Sequence, residues 1–334
     1  LEDPFAFDLP AALEAKSPAE ARGTGRDDVR LLVTTCAGLT HSHFRHLAEF
    51  LAPGDLIVVN RSATIPAALT GRRANGDVVP LHLSTRLPAD LFVVEPVRAR
   101  LEAQERLRLP GGALAELLTP YRDSRRLWVA RLFLPCGFLQ YIMQYGQPIS
   151  YRHVSARWPL EAYQNVYADV PGSAEMPSAG RPFTKQSFGR LRERGIGVAF
   201  ITLHAGVSSP ERDEPPYEER YEVPAETARA ARHARRNGGR VIAVGTTVVR
   251  ALESSLDDDN LPIASRGWTG LVITPERGVR IVDALLTGFH EPRSSHLAML
   301  EAITGRERIS ESYEAALAGG YLWHEFGDSH LIMA

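Results

Sequence analysis

Lysine is almost absent from this chain. Lys16 and Lys185 are the only two, and arginine supplies every other basic side chain. Arginine's planar fork still offers bidentate donors for carboxylate or phosphate. With a formal net charge of −2, no global field draws nucleic acid to the surface. Cysteine is equally scarce. Cys36 and Cys136 each stand in an apolar setting without a Cys or His at metal spacing, and are expected as core residues in a reducing compartment, which excludes a disulfide scaffold or zinc ribbon. No apolar run approaches the ~18–20 residues of a membrane span; stretches such as Gly197 to Leu203 and Ile281 to Leu286 are broken by Gly, Asp or Thr. The first residues, Leu1 to Phe5, lack the basic and apolar regions of a secretory signal, so a cytoplasmic protein without membrane contact is expected. P-loop, dinucleotide fingerprint, nucleophile elbow, metal-ligand spacing and glycine-rich methyltransferase loop are all missing. Their absence removes the commonest nucleotide, hydrolase and metal chemistries.

What remains is a chain of 334 residues with ordinary apolar and charged content. That length predicts two domains, or one carrying a large insertion. Ala48 to Asp55 ends a short helix in a turn, and Leu56 to Val59 reads as a buried strand closed by Asn60. From about Ala63 to Pro148 short apolar runs separated by Gly and Pro suggest an antiparallel β-module or small barrel. Beyond Ser150, strands at Val198 to Leu203 and Arg240 to Val244 alternate with helices at Glu226 to Arg236 and Thr247 to Ser255. Leu271 to Ile273 and Val279 to Val282 suggest a hairpin, and helices follow at Ser295 to Ile303 and Ser310 to Ala318. The expected fold is an α/β main domain with a largely parallel sheet, residues 1–62 and 151–334, and an antiparallel β-barrel inserted over 63–150. The polar, Pro-rich stretch Ser208 to Glu219 reads as a mobile loop.

Chemistry concentrates at strand ends. The buried strand Arg240 to Val244 runs into Gly245-Thr246-Thr247 and a helix. Gly245 permits close backbone approach, a threonine can cap, and the free N–H groups favour an anion, with Arg250 one turn inside. The same pattern fits a plain capped helix with a surface arginine. His204 follows the strand ending at Leu203, where sites in α/β folds gather; it is either a proton-transfer group or a hydrogen-bonded structural histidine. Asp283 and His290 frame a stretch that stops at Gly288 and leads through Ser294 and Ser295 into a helix. It can hold a zwitterion or be a loop with caps. Ser178-Ala179-Gly180, with Phe183 and Thr184, is a small-residue loop before a helix starting near Lys185, and fits a turn or a ligand-facing backbone. Gly327-Asp328 is similar.

Taken in order, these segments resemble one family. Phe5-Ala6-Phe7-Asp8-Leu9-Pro10 matches its N-terminal block. Pro53 to Asn60 with Ile65-Pro66-Ala67, Tyr163-Gln164-Asn165-Val166-Tyr167-Ala168, Pro177 to Thr184, Leu203 to Gly206, Ala243 to Ser254, Val282 to Ser295 and Gly327-Asp328 follow. The family is the S-adenosylmethionine:tRNA ribosyltransferase-isomerase of queuosine biosynthesis. The resemblance implies an α/β domain with an inserted barrel and S-adenosylmethionine as co-substrate, with no metal. It implies transfer of the ribosyl carbons to the aminomethyl group of a 7-deazaguanine base in tRNA, giving epoxyqueuosine, methionine and adenine. The sulfonium acidifies its adjacent 5′-carbon, a base takes that proton, the ribose opens and adenine leaves. The amine then attacks, and a hydroxyl displaces methionine to close the epoxide. Such chemistry needs a base, a proton donor for adenine and clamps on the methionine end. Under the resemblance His204 and His290 are the candidates for proton transfer. Thr246, Thr247 and Arg250 would clamp an anion, and Asp283 and Asp328 would hold an ammonium or ribose hydroxyl. Ser178, Ala179, Gly180, Phe183, Thr184 and Gly245 would line the co-substrate. One cavity should join His204, Arg250 and His290.

Several blocks depart from the family. PTAGLHFT has Ser178, Arg181 and Pro182 in place of Thr, Leu and His. NDTRV reads Asn60-Arg61-Ser62-Ala63-Thr64, and TNFHLP carries Gly288 for Asn. PLPPYI is not recognisable around Gln147 to Tyr151, and HxMHxE appears as Pro216 to Glu222 with both histidines lost. The pattern suits a paralogue with the same donor and a changed acceptor, a small-molecule amine or nucleoside, or a protein that binds S-adenosylmethionine without catalysis. Two arginine groups, Arg190, Arg192 and Arg194, and Arg229, Arg232, Arg235, Arg236 and Arg240, can neutralise tRNA phosphates or simply form solvated faces.

Overall fold

The computed structural model describes residues 7–333 apart from 123, 152, 155, 208–216 and 293, and of Ser295 only the backbone. Phe5-Ala6 of the first block, most of the stretch from Ser208 to Glu219, Pro216 and Arg293 therefore lie outside the described residues.

Four strands precede the inserted module: β1 (Arg30–Thr35), β2 (Gly38–His43), β3 (Leu56–Asn60) and β4 (Ser62–Thr64). A closed barrel follows, built from β5 (Ala68–Arg72), β6 (Val78–Arg86), β7 (Leu91–Pro96), β8 (Arg106–Arg108), β9 (Leu114–Pro120) and β10 (Trp128–Phe133), with every pairing antiparallel. Its inward residues, among them Leu69, Leu81, Val94, Leu107 and Leu117, are buried, and helix α1 (Phe138–Tyr145) adds Tyr141 and Ile142 to that core. The chain returns through β11 (Val170–Ser173), which pairs in parallel with β4.

The remaining elements are α2 (Lys185–Glu193), β12 (Gly197–Leu203), β13 (Glu219–Val223), α3 (Ala225–Arg236), β14 (Val241–Val244), α4 (Thr246–Glu253), β15 (Ser265–Thr269), β16 (Ala284–Gly288), α5 (Ser295–Thr304), α6 (Arg306–Ala318) and β17 (Ser329–Met333). Nine strands form one sheet in the order β15-β13-β12-β3-β14-β16-β17-β1-β2. Its central run from β12 to β16 is parallel, as is β17 on β1, while β15 on β13, β13 on β12, β16 on β17 and β1 on β2 are antiparallel. The sheet is thus mixed, where a largely parallel one was expected. Short connections at its flanks, such as the turn between β1 and β2, reverse the chain directly and give antiparallel neighbours.

Both faces of the central strands are covered, which explains their unbroken apolar runs. Leu56 and Val58 of β3, with Val241 and Ala243 of β14, face α3 to α6. Ile57 and Val59, with Ile242 and Val244, face the opposite layer around Phe44, Phe183 and Leu191. The hairpin expected at Leu271 to Ile273 and Val279 to Val282 does not form. Thr274 and Gly278 close a turn, and the amides of Arg280 and Ile281 go to the Glu253 carboxylate at 2.8 and 3.0 Å. The strand begins only at Ala284. The cysteines also differ from expectation: Cys36 is exposed in the β1–β2 turn and Cys136 is half-buried against the barrel.

Asp55 locks the opposite, amino-terminal edge of β3 and β14. Only 2% exposed, it accepts the amides of Ala52 and Arg240 and the Arg240 guanidinium. Burial opposes its charge, but these hydrogen bonds outweigh it and hold the carboxyl below its usual value. A depressed native pKa contributes stability that is complete above the unfolded value of about 3.9 and lost as pH falls through the native one. Asp55→Asn is expected to cost about 2 kcal/mol at pH 7. The gap to the parent, measured by urea unfolding, should narrow steadily below about pH 4.

Candidate functional site

The parallel run places the ends of β12, β3, β14 and β16 along one edge, so Leu203, Asn60, Val244 and Gly288 are neighbours there. Asn60, 1% exposed, ties β3 to β12 and to the start of α4. Its amide oxygen accepts the Leu203 and Ser62 amides, and its NH2 donates to the Leu203 carbonyl (2.8 Å) and to Thr247 Oγ1 (3.2 Å). Gly245 then turns the chain into α4 with φ of +90°, a conformation that favours glycine. The turn Ser178–Gly180 packs directly above. A Cβ on Gly245 would lie 3.3 Å from that of Ala179, and one on Gly180 would lie 1.8 Å from Tyr167 Oη. Phe183 lies in the core against Phe44 and Phe188, and Thr184 caps α2 through the Ser187 amide. Within this loop Ser178 and Ala179 line a cleft, while Gly180, Phe183 and Thr184 build the support.

A narrow cleft runs from Ser178 and Ala179 past Gly288 to His324 and Gly327-Asp328. Asp328 lines it, but its oxygens are engaged. They accept the Arg30 guanidinium (2.9 Å), the Arg30 amide (2.7 Å) and the Leu322 amide (2.8 Å). None of His204, Arg250 and His290 lines this cleft. Arg250 leaves the expected trio altogether. Its guanidinium is buried against the carbonyls of Leu271, Thr269 and Tyr217 and the carboxylate of Glu219. Asp283 stands at the start of β16, the far edge of the sheet, where it accepts the Val241 amide (2.8 Å) and pairs with Arg235 (3.1 Å). Neither reaches the carboxyl-terminal edge with a free polar atom.

His204 is differently placed. Its Nδ1 is 2.8 Å from Ser62 Oγ, which is 2.7 Å from Ser173 Oγ; both serines are fully buried, and the Ala205 amide donates to Ser173. In one sense Ser173 donates to Ser62 and Ser62 to Nδ1, leaving an outward Nε2–H. In the other Nδ1–H donates to Ser62 and Nε2 offers a lone pair. Burial, with the Arg220 charge second, pushes the imidazole down to about 4, so it is neutral at pH 7. The barrel closes over this end, since Ser84 of β6 accepts the Val207 amide at 3.0 Å.

His290 lies beyond β16, three inter-strand steps of about 4.8 Å, roughly 14 Å, from the strand that carries His204. Its Nε2 is 2.9 Å from Thr287 Oγ1 and its ring packs 4.7 Å from His296. Burial first, then the neighbouring histidines, hold it well below its ordinary value. The two histidines therefore stand at separate points along the edge. Asn60, Ser62 and Ser173 were missed as site residues. A buried asparagine closing an apolar strand was the one legible signal.

A family model described as "Queuosine biosynthesis protein" matches residues 2–332. The S-adenosylmethionine:tRNA ribosyltransferase-isomerase of Thermus thermophilus is 37% identical over 328 residues, covering 92% of this chain and 93% of its own. The protein of the same name from Gloeobacter violaceus is 36% identical and covers 100% of this chain and 96% of its own. A crystal structure of S-adenosylmethionine tRNA ribosyltransferase from Thermotoga maritima is 30% identical over 99% of this chain and 100% of that one, with a TM-score of 0.55. With full-length similarity and the same order of sequence blocks, the chain belongs to the S-adenosylmethionine:tRNA ribosyltransferase-isomerase family.

Proposed function

We propose that this chain is an enzyme that transfers and isomerises the ribosyl carbons of S-adenosylmethionine onto an amine, releasing adenine and methionine, with the 7-aminomethyl-7-deazaguanine base of tRNA as acceptor. The carrying observation is the family membership over the whole length, joined to a sheet edge where a neutral histidine meets a buried hydroxyl chain. In this assignment His204 accepts and returns a proton through Nε2, with Ser62 and Ser173 letting the ring exchange tautomers. The open amides of α4, with Thr246, favour the methionine carboxylate. Ser178 and Ala179 bring backbone close to the co-substrate. His290, paired with Thr287, holds the other end. Arg250, Asp283 and Asp328 support the scaffold.

The division into 1–62 with 151–334 and an insertion over 63–150 belongs to the same proposal, supported by the separate apolar cores of barrel and sheet. No helix among the described residues is long and apolar enough to cross a membrane, in keeping with a cytoplasmic enzyme. For tRNA, Arg229, Arg232 and Arg236 on α3 have no carboxylate partner among the described residues, whereas Arg190, Arg235 and Arg240 are paired with Asp27, Asp283 and Asp55.

Incubation of the protein with S-adenosylmethionine and tRNA carrying the deazaguanine base should release adenine and methionine in equal amounts, only when that tRNA is present. Turnover with a small amine and none with tRNA would reassign the acceptor. Calorimetric binding of S-adenosylmethionine with no adenine release under any acceptor would leave a binding protein.

A further inference from the structure

Beside the cleft, three segments far apart in sequence bring Glu14, His153 and His324 together. Each offers one ligand atom, and these atoms all lie within 4.8 Å of one another. The backbone fixes two of them. Glu14 bridges to Trp323, with the Ala15 amide on the Trp323 carbonyl and the Trp323 amide on the Leu13 carbonyl, so His324 emerges next to Glu14. The third arrives on the segment returning from the barrel, and its ring stacks on His324 with centroids 4.0 Å apart.

We propose that Glu14, His153 and His324 form a binding site for a divalent transition metal of the zinc class. Two imidazoles and one carboxylate are a donor set that suits zinc and leaves a fourth position for water. The His324 side chain is 8% exposed, yet its Nε2 has no hydrogen-bond partner among the described residues and lies 3.6 Å from Glu14 Oε1. Bonds of about 2.0–2.1 Å to a tetrahedral zinc set its donors roughly 3.3 Å apart, so that edge of the site is nearly at length already. Outer carboxylates are also in place. Glu325 Oε2 is 3.0 Å from His153 Nε2, and Glu291 Oε1 is 3.6 Å from His324 Nδ1, the arrangement that orients metal-bound imidazoles. Glu325 Oε1 is a second buried atom in the same cluster without a partner among the described residues. Without a metal the cluster leaves His324 Nε2 unsatisfied, a cost that coordination removes. The ion would pin the amino-terminal segment, the segment after the barrel and the turn before β17 to one point.

The test uses the full chain stripped with chelator, then titrated with zinc chloride against a chromophoric chelator and, separately, with cobalt(II). Saturable binding of one zinc per chain is expected, with visible cobalt bands of nitrogen coordination. Glu14→Gln, His153→Ala and His324→Asn should each weaken binding about 100-fold or more, and Glu325→Gln about 10–100-fold. Asparagine is chosen at 324 because φ there is +73°, which asparagine tolerates. Circular dichroism checks each fold, and Glu14→Gln, nearly isosteric, guards against loss of structure. Zinc should raise the thermal midpoint of the parent and not of Glu14→Gln. No stoichiometric binding by the parent, or unchanged affinity and cobalt spectra in all three ligand variants, would overturn the site and leave three histidine–carboxylate contacts, His153–Glu325, His324–Glu14 and His324–Glu291. Both readouts are independent of transferase activity.

Discussion

Methionine in place of Arg250 is expected to destabilise the fold by about 3–5 kcal/mol, a large share of the ~5–15 kcal/mol that holds a typical protein. The guanidinium is buried and its nitrogens are held by three carbonyls and a carboxylate. Its removal strips the Leu271, Thr269 and Tyr217 carbonyls of their donor and leaves the Glu219 carboxylate inside with, among the described residues, only the Gly206 amide. An unpaired buried charge is the larger part of the loss. Adding Glu219→Gln should therefore recover part of it, so the double variant unfolds at a higher urea concentration than additivity allows. Unchanged stability with weakened S-adenosylmethionine binding would instead restore Arg250 as an anion clamp.

His204→Ala is expected to lower kcat by about 100- to 10,000-fold, the range for loss of a positioned proton-transfer group, with the thermal midpoint little changed because the ring is half-buried. Two neighbours sharpen the assignment. A methyl at Gly172 would lie 2.4 Å from His204 Nδ1, so Gly172→Ala should displace the ring and lose most of the activity while the histidine is still present. Ser62→Ala breaks the hydroxyl chain and should cost about tenfold, since only tautomer control is lost. Single-turnover rates of adenine release, at saturating S-adenosylmethionine, separate chemistry from binding. Activity near the parent level in His204→Ala would remove the histidine from the mechanism.

Much of this edge was readable in advance, because strand ends and glycine turns are written locally. Val244-Gly245-Thr246 announced both the buried strand and the helix start, and Leu203-His204 announced a strand end. The errors arose where partners are distant. Nothing near Arg250 reveals that loop carbonyls at Tyr217, Thr269 and Leu271 fold over it, and Asp328 owes its role to Arg30 at the other end of the sequence. Asp283 was misplaced for a more local reason. Val279 to Val282 is apolar enough to pass for a strand, so Asp283 seemed to follow one, whereas Ala284–Gly288 is the strand and Asp283 precedes it. Ser62 stands where the family block has threonine, so the hydroxyl persists, but its meaning depends on Ser173 and His204 meeting it in space. The metal candidate was invisible because its ligands share no spacing.

The place of β17 carries a further consequence. It is the last strand among the described residues, yet it lies inside the sheet between β16 and β1. During synthesis the barrel can close early from local pairings, while the β1–β2 hairpin waits for a partner made some 300 positions later. Until then β1 presents an open edge, so the nine-stranded sheet is sealed long after its first hairpin has been made.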